Sequence, residues 1–224
     1  MDFAKVSPML LNEAEATTIA DRVRAIEAAT GAQVVVAIVG RSDVYHGLRW
    51  RAFAFGASLA ALVLVASDLL RPDWISAHAA LVHALGILGV GALFSLSAHF
   101  SPAFARLFLE RDRAQTEVRQ YAQVLFLERE LFATNERNAV LILASLYERV
   151  VVVWPDLGYS GRIAEADWGR VVDPMLPAMR AGRTSDALAA GLAALDALLA
   201  EKGCRWQSGG GNAFADRPIE TPGA

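Results

Sequence analysis

The sequence is poor in the residues that build common catalytic and cross-linked sites. Its single cysteine, Cys204, excludes an internal disulfide and a cysteine-based zinc site. Lysine occurs only at positions 5 and 202, so nearly all the positive charge is arginine, and the net charge is -3. No basic tract is present, so nucleic acid is not expected as a partner. The nucleophile-elbow, P-loop and dinucleotide-binding motifs are also missing from the sequence.

Long apolar stretches without charge are what the sequence has in excess. Residues 52–67 and 74–105 contain no Asp, Glu, Lys or Arg. A helix crosses a bilayer with about 20 apolar residues at a rise of about 1.5 Å each. We therefore predict a transmembrane helical hairpin with spans at about 52–70 and 75–99. The alternative is a buried helical hairpin in the core of a large soluble protein.

Small residues and arginines predict how this hairpin packs and how it is oriented. Each helix carries two small residues four positions apart, which favours close packing of the two helices. These residues are Gly56 and Ala60 in the first helix and Gly91 and Ser95 in the second. Arginines flank the hairpin on both outer sides, at positions 41, 49, 51, 106, 111 and 113, whereas only Arg71 lies between the helices. The positive-inside rule then places both termini in the cytoplasm.

The remaining sequence has the pattern of one α/β domain. Apolar periodicity predicts helices over 10–31, 101–133, 163–182 and 185–201, and continuous apolar runs predict strands over 32–40, 139–146 and 149–154. The first strand is apolar on both faces, so it needs the later strands as neighbours, which an even number of spans allows. The predicted organisation is a first domain part (1–50), a hairpin (51–101), a second domain part (102–202) and a disordered Gly/Pro-rich tail (203–224).

Polar residues lie at one end of the predicted strand pair. Because only Tyr147 and Glu148 connect the two strands, the strands must be antiparallel neighbours. The start of one strand then lies beside the end of the other, which brings Asn138 next to Asp156. We call this end of the sheet the rim; its residues are Thr134, Glu136, Arg137, Asn138, Asp156 and Gly158.

The rim has two interpretations. Oxygen atoms of Glu136, Asn138 and Asp156 are ligands of the kind that Ca²⁺ or Mg²⁺ prefers, and Arg137 is suited to orient an anion or to pair with Asp156. The alternative is ordinary turn chemistry, in which Asp156 and Gly158 follow a strand and the charged residues lie on the surface. At the opposite end of the strand pair, Glu148 is predicted to lie in a solvated hairpin tip.

Three segments of the sequence resemble the TPM domain family. They are LNEAEATTIADRVRAIEAATGAQVVVAIV, TNERNAVLILASLYERVVVVWPDLG and WGRVVDPMLPAMRAGRTSDALAAGLAAL. The resemblance covers about 10–40 and 115–200, and the Gly-rich tail ending near DRPIE resembles membrane-anchored bacterial members. It implies a three-layer α/β/α sandwich, here with the transmembrane hairpin inserted.

The resemblance also implies a function and a location. Roles proposed across the family concern upkeep or assembly of membrane protein complexes, and divalent metal binding is reported for some members. The predicted function is therefore a binding or scaffold module at the bacterial inner membrane, with the bilayer and other membrane proteins as partners. The alternative is a metal-dependent acid phosphatase at the membrane surface, an activity attributed to plant members. For such chemistry the sequence offers only Asp156 or a hydroxyl such as that of Thr134 or Ser160.

Overall fold

The computed structural model describes residues 10–70, 77–206 and 214–223. The chain divides into an α/β unit, formed by residues 1–43 and 114–224, and a hairpin unit, formed by residues 44–113. The predicted tip of the hairpin, at positions 71–74, lies outside the described residues.

A four-stranded sheet forms the centre of the α/β unit. Its strands are β1 (Gln33–Arg41), β2 (Ala139–Ser145), β3 (Val150–Pro155) and β4 (Ile219–Gly223). They are ordered β3-β2-β1-β4, with β1 parallel to both β2 and β4, and with β2 antiparallel to β3. Every residue of β2 is buried, as expected for a continuous apolar run between two layers.

Helices cover both faces of this sheet. On one face pack α1 (Glu13–Thr30), α6 (Gly169–Val172), α7 (Leu176–Arg180) and α8 (Thr184–Glu201), whereas α5 (Arg111–Glu128) packs on the other. The predicted three-layer α/β/α sandwich is confirmed. Its helix α1 begins with a capping box, in which Asn12 Oδ1 accepts from Glu15 N at 2.8 Å and Glu15 Oε2 accepts from Asn12 N at 2.9 Å.

The helix predicted over 101–133 is broken. The structure has a short α4 (Pro102–Ala105), a 3₁₀ turn (Arg106–Phe108) and then α5, because Leu109 is extended between them. Helix α5 ends at residue 128, and Glu130 reverses the chain with a φ of 52°. Phe132 is consequently 37% exposed, whereas Leu131 is buried.

The helix predicted over 163–182 is also interrupted, at its two prolines. It consists of a 3₁₀ turn (Glu165–Trp168), α6, a second 3₁₀ turn (Asp173–Met175) and α7. Pro174 and Pro177 lack an amide hydrogen, which prevents a continuous hydrogen-bond ladder.

The prediction that residues 203–224 are disordered is wrong for the described part of this segment. Cys204 and Trp206 are buried, and β4 pairs with β1 as a parallel strand. Arg217 holds the segment to Glu13 of α1, with Nη2 2.7 Å from Oε1. The strand forms because β1 has an open edge, which is a tertiary effect that the polar sequence IETPG does not signal. Residues 207–213 lie outside the described residues.

Two long helices dominate the hairpin unit. They are α2 (Gly47–Leu70) and α3 (Ala77–Phe100), and each is long and apolar enough to cross a membrane. Only 6% of each apolar window is buried. The alternative of a hairpin buried in a soluble core therefore does not describe them. The unit extends beyond the predicted boundaries of 51 and 101, because α4 and the turn after it pack on these helices: Phe104 contacts Phe94, and Phe108 contacts Phe55.

Glycines let the two long helices approach through aromatic rings. A Cβ atom on Gly56 would lie 2.7 Å from Phe94 Cγ, and one on Gly91 would lie 2.8 Å from Phe53 Cε2. Both glycines are buried, whereas Ala60 and Ser95 are only partly buried. The described contacts of the two glycines are thus with phenylalanine rings of the opposite helix.

Candidate functional site

The rim forms where β2 begins and β3 ends, as the sequence predicts. The antiparallel register pairs Val140 with Pro155, and the next bond joins Asp156 N to Ala139 O at 2.9 Å. The connection between the strands spans 146–149, four residues instead of the predicted two. The antiparallel pairing, and with it the proximity of Asn138 to Asp156, is as expected.

Arg137 and Asp156 form a two-point ion pair across the rim. Arg137 Nε lies 2.8 Å from Asp156 Oδ2, and Arg137 Nη2 lies 2.8 Å from Oδ1. Leu157 N also donates to Oδ1, at 2.7 Å. The hydrogen bond to the carboxylate raises the pKa of the Arg137 guanidinium. Both oxygens of Asp156 are therefore already engaged by groups of the chain itself.

Asn138 fastens the rim to the end of α1. Its Nδ2 donates to Gly31 O at 2.7 Å, and its own carbonyl oxygen accepts from Tyr159 Oη at 2.8 Å. Its backbone N donates to Thr134 Oγ1 at 3.2 Å. Burial raises the pKa of the Tyr159 phenol, so this group stays a neutral hydrogen-bond donor. These contacts give Asn138 a structural role.

Gly158 is required at the rim because two stretches of backbone touch there. Its amide donates to Arg137 O at 2.8 Å, and a Cβ atom at this position would lie 2.5 Å from Glu136 O. Arg137 itself has a φ of 51°, in the left-handed region. The Asp-x-Gly sequence thus serves a tight backbone crossing.

The three residues predicted as metal ligands are not brought to one point by the described contacts. Glu136 is exposed, whereas Asn138 and Asp156 are buried. Within residues 10–70, 77–206 and 214–223, no group of three or more His, Cys, Asp and Glu side chains is arranged to hold a metal ion. Binding of Ca²⁺ or Mg²⁺ by Glu136, Asn138 and Asp156 stays a prediction.

Glu148 is not the solvated tip that the sequence suggests. Its Oε1 accepts from Ser42 N at 2.9 Å and from Ser42 Oγ at 2.5 Å, and its Oε2 accepts from Ser145 Oγ. The carboxylate therefore joins the end of β1 to the turn between β2 and β3. Sequence reasoning missed it because Ser42, which donates two of these hydrogen bonds, lies in a different segment of the chain.

A second half-buried carboxyl lies on α1. Glu27 Oε1 accepts from Val34 N at 2.8 Å. Burial, together with the nearby Asp216, raises the pKa of Glu27 to about 7, against a smaller lowering by the Val34 amide. Asp216 in turn accepts from Arg24 Nε at 3.1 Å, which ties the segment before β4 to α1.

An open groove of about 600 Å³ runs along β3, beside the rim. Its floor is β3 itself, and its walls come from two separate stretches, Gln115 to Arg119 on α5 and Ile163 to Val172 around α6. Asp156, Leu157 and Ser160 lie at the rim end. No local sequence pattern signals this groove, because its walls are far apart along the chain and meet only through the sheet.

An exposed ion pair spans the mouth of the groove. Arg119 Nη2 of α5 lies 3.9 Å from Glu165 Oε1, and the side chains are 58% and 91% exposed. The Arg119 guanidinium also lies 5.2 Å from the centre of the Trp154 ring. Trp168 is buried against Tyr159.

This fold is similar to that of known proteins. Residues 104–198 match the family model described as the TPM domain, which confirms the predicted resemblance over α5, β2, β3 and the helices that follow. The NMR structure of BA42 protein from the psychrophilic bacterium Bizionia argentinensis is similar, with a TM-score of 0.56 and 13% identity over 97% of this chain and 99% of that one. No curated protein matches the sequence. Membership of a membrane-anchored bacterial branch stays a prediction.

Proposed function

We propose that this TPM-domain protein is a membrane-anchored binding module that assists the assembly or upkeep of membrane protein complexes. The anchoring rests on α2 and α3, whose apolar windows are only 6% buried. Such a surface is unfavourable in water, because burying each exposed leucine side chain would stabilise the protein by about 1.5–3 kcal/mol. A lipid bilayer would surround these apolar side chains without any further protein.

The observation that carries the binding function is the groove along β3. It is open, about 600 Å³ in volume, and lined by both apolar and polar side chains. The rim beside it is closed, since Arg137 and Leu157 N occupy the Asp156 carboxylate. The structure thus offers space for a partner, and the polar rim residues stabilise the fold around it.

The arginines around the hairpin support a cytoplasmic location for both termini at a bacterial inner membrane. Arg49 and Arg111 are exposed, and Arg51 pairs with Glu110, with Nη1 2.8 Å from Oε1. Extraction of membranes with alkaline carbonate is expected to leave the protein in the pellet. A reporter fused after Ala133 is expected to be active only as a cytoplasmic reporter; activity of an external reporter would reverse the orientation.

Site-directed photo-cross-linking in intact membranes tests the binding function. Leu157 lies at the groove and is 69% exposed, whereas Leu127 on α5 is 62% exposed and does not line the groove. Replacing each by benzoylphenylalanine gives a matched pair of probes. We expect adducts with integral membrane proteins from position 157 and none from position 127. Equal labelling at both positions, or none at either, would contradict a groove-based module.

The alternative function is a metal-dependent phosphatase acting at the rim. What favours it is the position of Asp156 and Ser160 at one end of the groove. A chromogenic phosphomonoester with Mg²⁺ or Ca²⁺ is the appropriate assay, with Asp156→Ala as control. Two results would favour the enzyme over the binding module: turnover by the wild type that is lost in this variant, and calorimetric heat on titration with Ca²⁺.

A further inference from the structure

Strand β3 lies at the edge of the sheet, with β2 on one side and the groove on the other. The bond from Asp156 N to Ala139 O fixes which residues of β3 face β2. Backbone groups alternate along an antiparallel strand, and the register continues without a bulge to the pair of Ser145 and Val150. The backbone groups of Val151 and Val153 therefore point into the groove.

These outward backbone groups have no partner among the residues that the structure describes. Val151 and Val153 each present an N–H donor and a C=O acceptor to the groove, and Pro155 presents only a carbonyl. The strand is also less buried than its neighbour β2, since Val151 is the one buried residue among its six. An unpaired edge of this kind is a template for another strand.

Side chains on both sides of the edge complete a two-sided channel. On the α5 side, Val152 and Trp154 project beside Arg119. On the other side, Val151 and Val153 belong to the core that contains Ile163 and Trp168. An extended chain laid along β3 would direct alternate side chains to these two walls, which matches the two-residue period of a strand.

Charges in the channel are neutralised within the protein. Arg119 pairs with Glu165 across the mouth, and Asp156 pairs with Arg137 at the rim end. The floor between them is formed by the uncharged residues of β3, namely its valines, Trp154 and Pro155. A complementary occupant therefore has an uncharged, apolar centre and needs no specific charge to bind. The exposed pair of Arg119 and Glu165 contributes little to stability, so an entering chain displaces it readily.

We propose that the groove binds an extended, uncharged segment of a partner protein as a fifth strand paired with β3. The proposal rests on the function proposed above and specifies how the module holds its partner: through backbone hydrogen bonds, with little dependence on side-chain identity. A second copy of this chain is a poorer occupant, because the walls that flank β3 in one copy would meet the same walls of the other.

The test uses the full chain in detergent micelles and a labelled synthetic peptide of alternating threonine and valine, with a lysine at each end and both termini blocked. Val153→Pro removes an amide that faces the groove and leaves the ladder to β2 intact. Val153→Ala is the matched control, because it also shortens the side chain but keeps the amide. We expect the dissociation constant to rise about tenfold or more in Val153→Pro and to change less than about threefold in Val153→Ala.

Hydrogen exchange of the wild-type protein gives a readout that needs no variant. The amides of Val151 and Val153 are expected to exchange rapidly in the free protein and to be protected by the peptide. A peptide methylated on alternate backbone nitrogens is expected not to bind. Unchanged melting of Val153→Pro, compared with a large loss in Val152→Pro, establishes that the former is folded.

Several results would overturn the proposal: no binding of the peptide, equal binding by Val153→Pro, equal binding of the methylated peptide, or protection of amides elsewhere. A dimer of the wild type that dissociates in Val153→Pro would assign the edge to a second copy. Cross-linking from position 157 without peptide binding would support the binding module and contradict strand pairing. Peptide binding without cross-links to membrane proteins would contradict the proposed function and support strand pairing at β3.

Discussion

Arg137 and Asp156 are joined at two points, with Nε and Nη2 of the arginine each 2.8 Å from a different carboxylate oxygen. The pair is asymmetric in its exposure, because the carboxylate side chain is 3% exposed and the arginine side chain is 43% exposed. Loss of the carboxylate leaves a guanidinium that water can reach. Loss of the arginine leaves a buried carboxylate with one backbone amide as its described partner.

This asymmetry predicts the order of two substitutions. Asp156→Asn should lower the free energy of unfolding by about 2 kcal/mol, the scale for hydrogen bonds to a charged group. Arg137→Met should lower it further, because an unpaired buried charge costs more than a lost pair. Denaturant unfolding followed by tryptophan fluorescence measures both. Arg183→Met, which removes an exposed pair with Asp186, is the control and should change little. Equal losses at positions 137 and 156 would contradict the asymmetry.

A methyl group at Gly158 is predicted to disrupt the rim. In Gly158→Ala the new Cβ would lie 2.5 Å from Glu136 O, and the backbone of Arg137 is also in its way. Relief requires backbone movement, so we expect a loss of about 2–3 kcal/mol. Gly161→Ala provides the comparison, because Gly161 has a φ of 76° but open space around it, and its loss should be about 1 kcal/mol. Thermal melting of both variants distinguishes the two; a milder effect at 158 than at 161 would refute the close approach.

The proximity of Asn138 and Asp156 was predictable because it depends on local sequence. A short connection between two apolar runs allows only an antiparallel pair, and that pairing places their outer ends together. The groove was not predictable in this way. Arg119 and Trp168 meet its floor through helices whose positions are set by the whole sandwich, and each looks like an ordinary helical residue in sequence.

Strand β4 is a second feature that could not be predicted from local sequence. Its sequence contains Pro222 and Gly223, which disfavour strands and suggested a disordered tail. The strand forms because β1 offers an unpaired edge, and Arg217 and Asp216 add contacts to α1. Such pairing depends on a partner about 180 residues away, which no local pattern reports.

Stability is predicted to fall as the pH rises through neutrality, because of Glu27. The pKa of this carboxyl rises from 4.5 to about 7 in the folded protein, so the folded state holds its proton more tightly than the unfolded state. The resulting stabilisation is complete below the unfolded pKa and is lost as the pH rises through the folded one. Asp216, which accepts from Arg24, is the charged group that adds to the rise in the pKa of Glu27.

Glu27→Gln removes the titration while keeping an oxygen that accepts from Val34 N. We expect the wild type to lose stability between about pH 5 and about pH 8, and the variant to lose less over the same interval. Denaturant midpoints at the two pH values give the comparison. Parallel pH profiles for the two proteins would show that Glu27 does not titrate in this range.

The contact between Gly56 and Phe94 gives a final prediction, for the hairpin unit. In Gly56→Ala the added Cβ would lie 2.7 Å from Phe94 Cγ, so the ring must move or the helices must separate. We expect a loss of about 1–3 kcal/mol in the stability of the helix pair, measured by titration with a denaturing detergent. Gly89→Ala is the matched control, because a Cβ there meets nothing within 4 Å and improves helix propensity.

A double-mutant cycle separates this contact from general effects on the helix. If the ring is what the methyl group meets, Phe94→Leu should recover part of the loss caused by Gly56→Ala, with a coupling energy of about 1 kcal/mol. Additive losses in the double variant would mean that the helices do not meet at this point. Recovery would show that Gly56 faces the ring of Phe94 on the opposite helix.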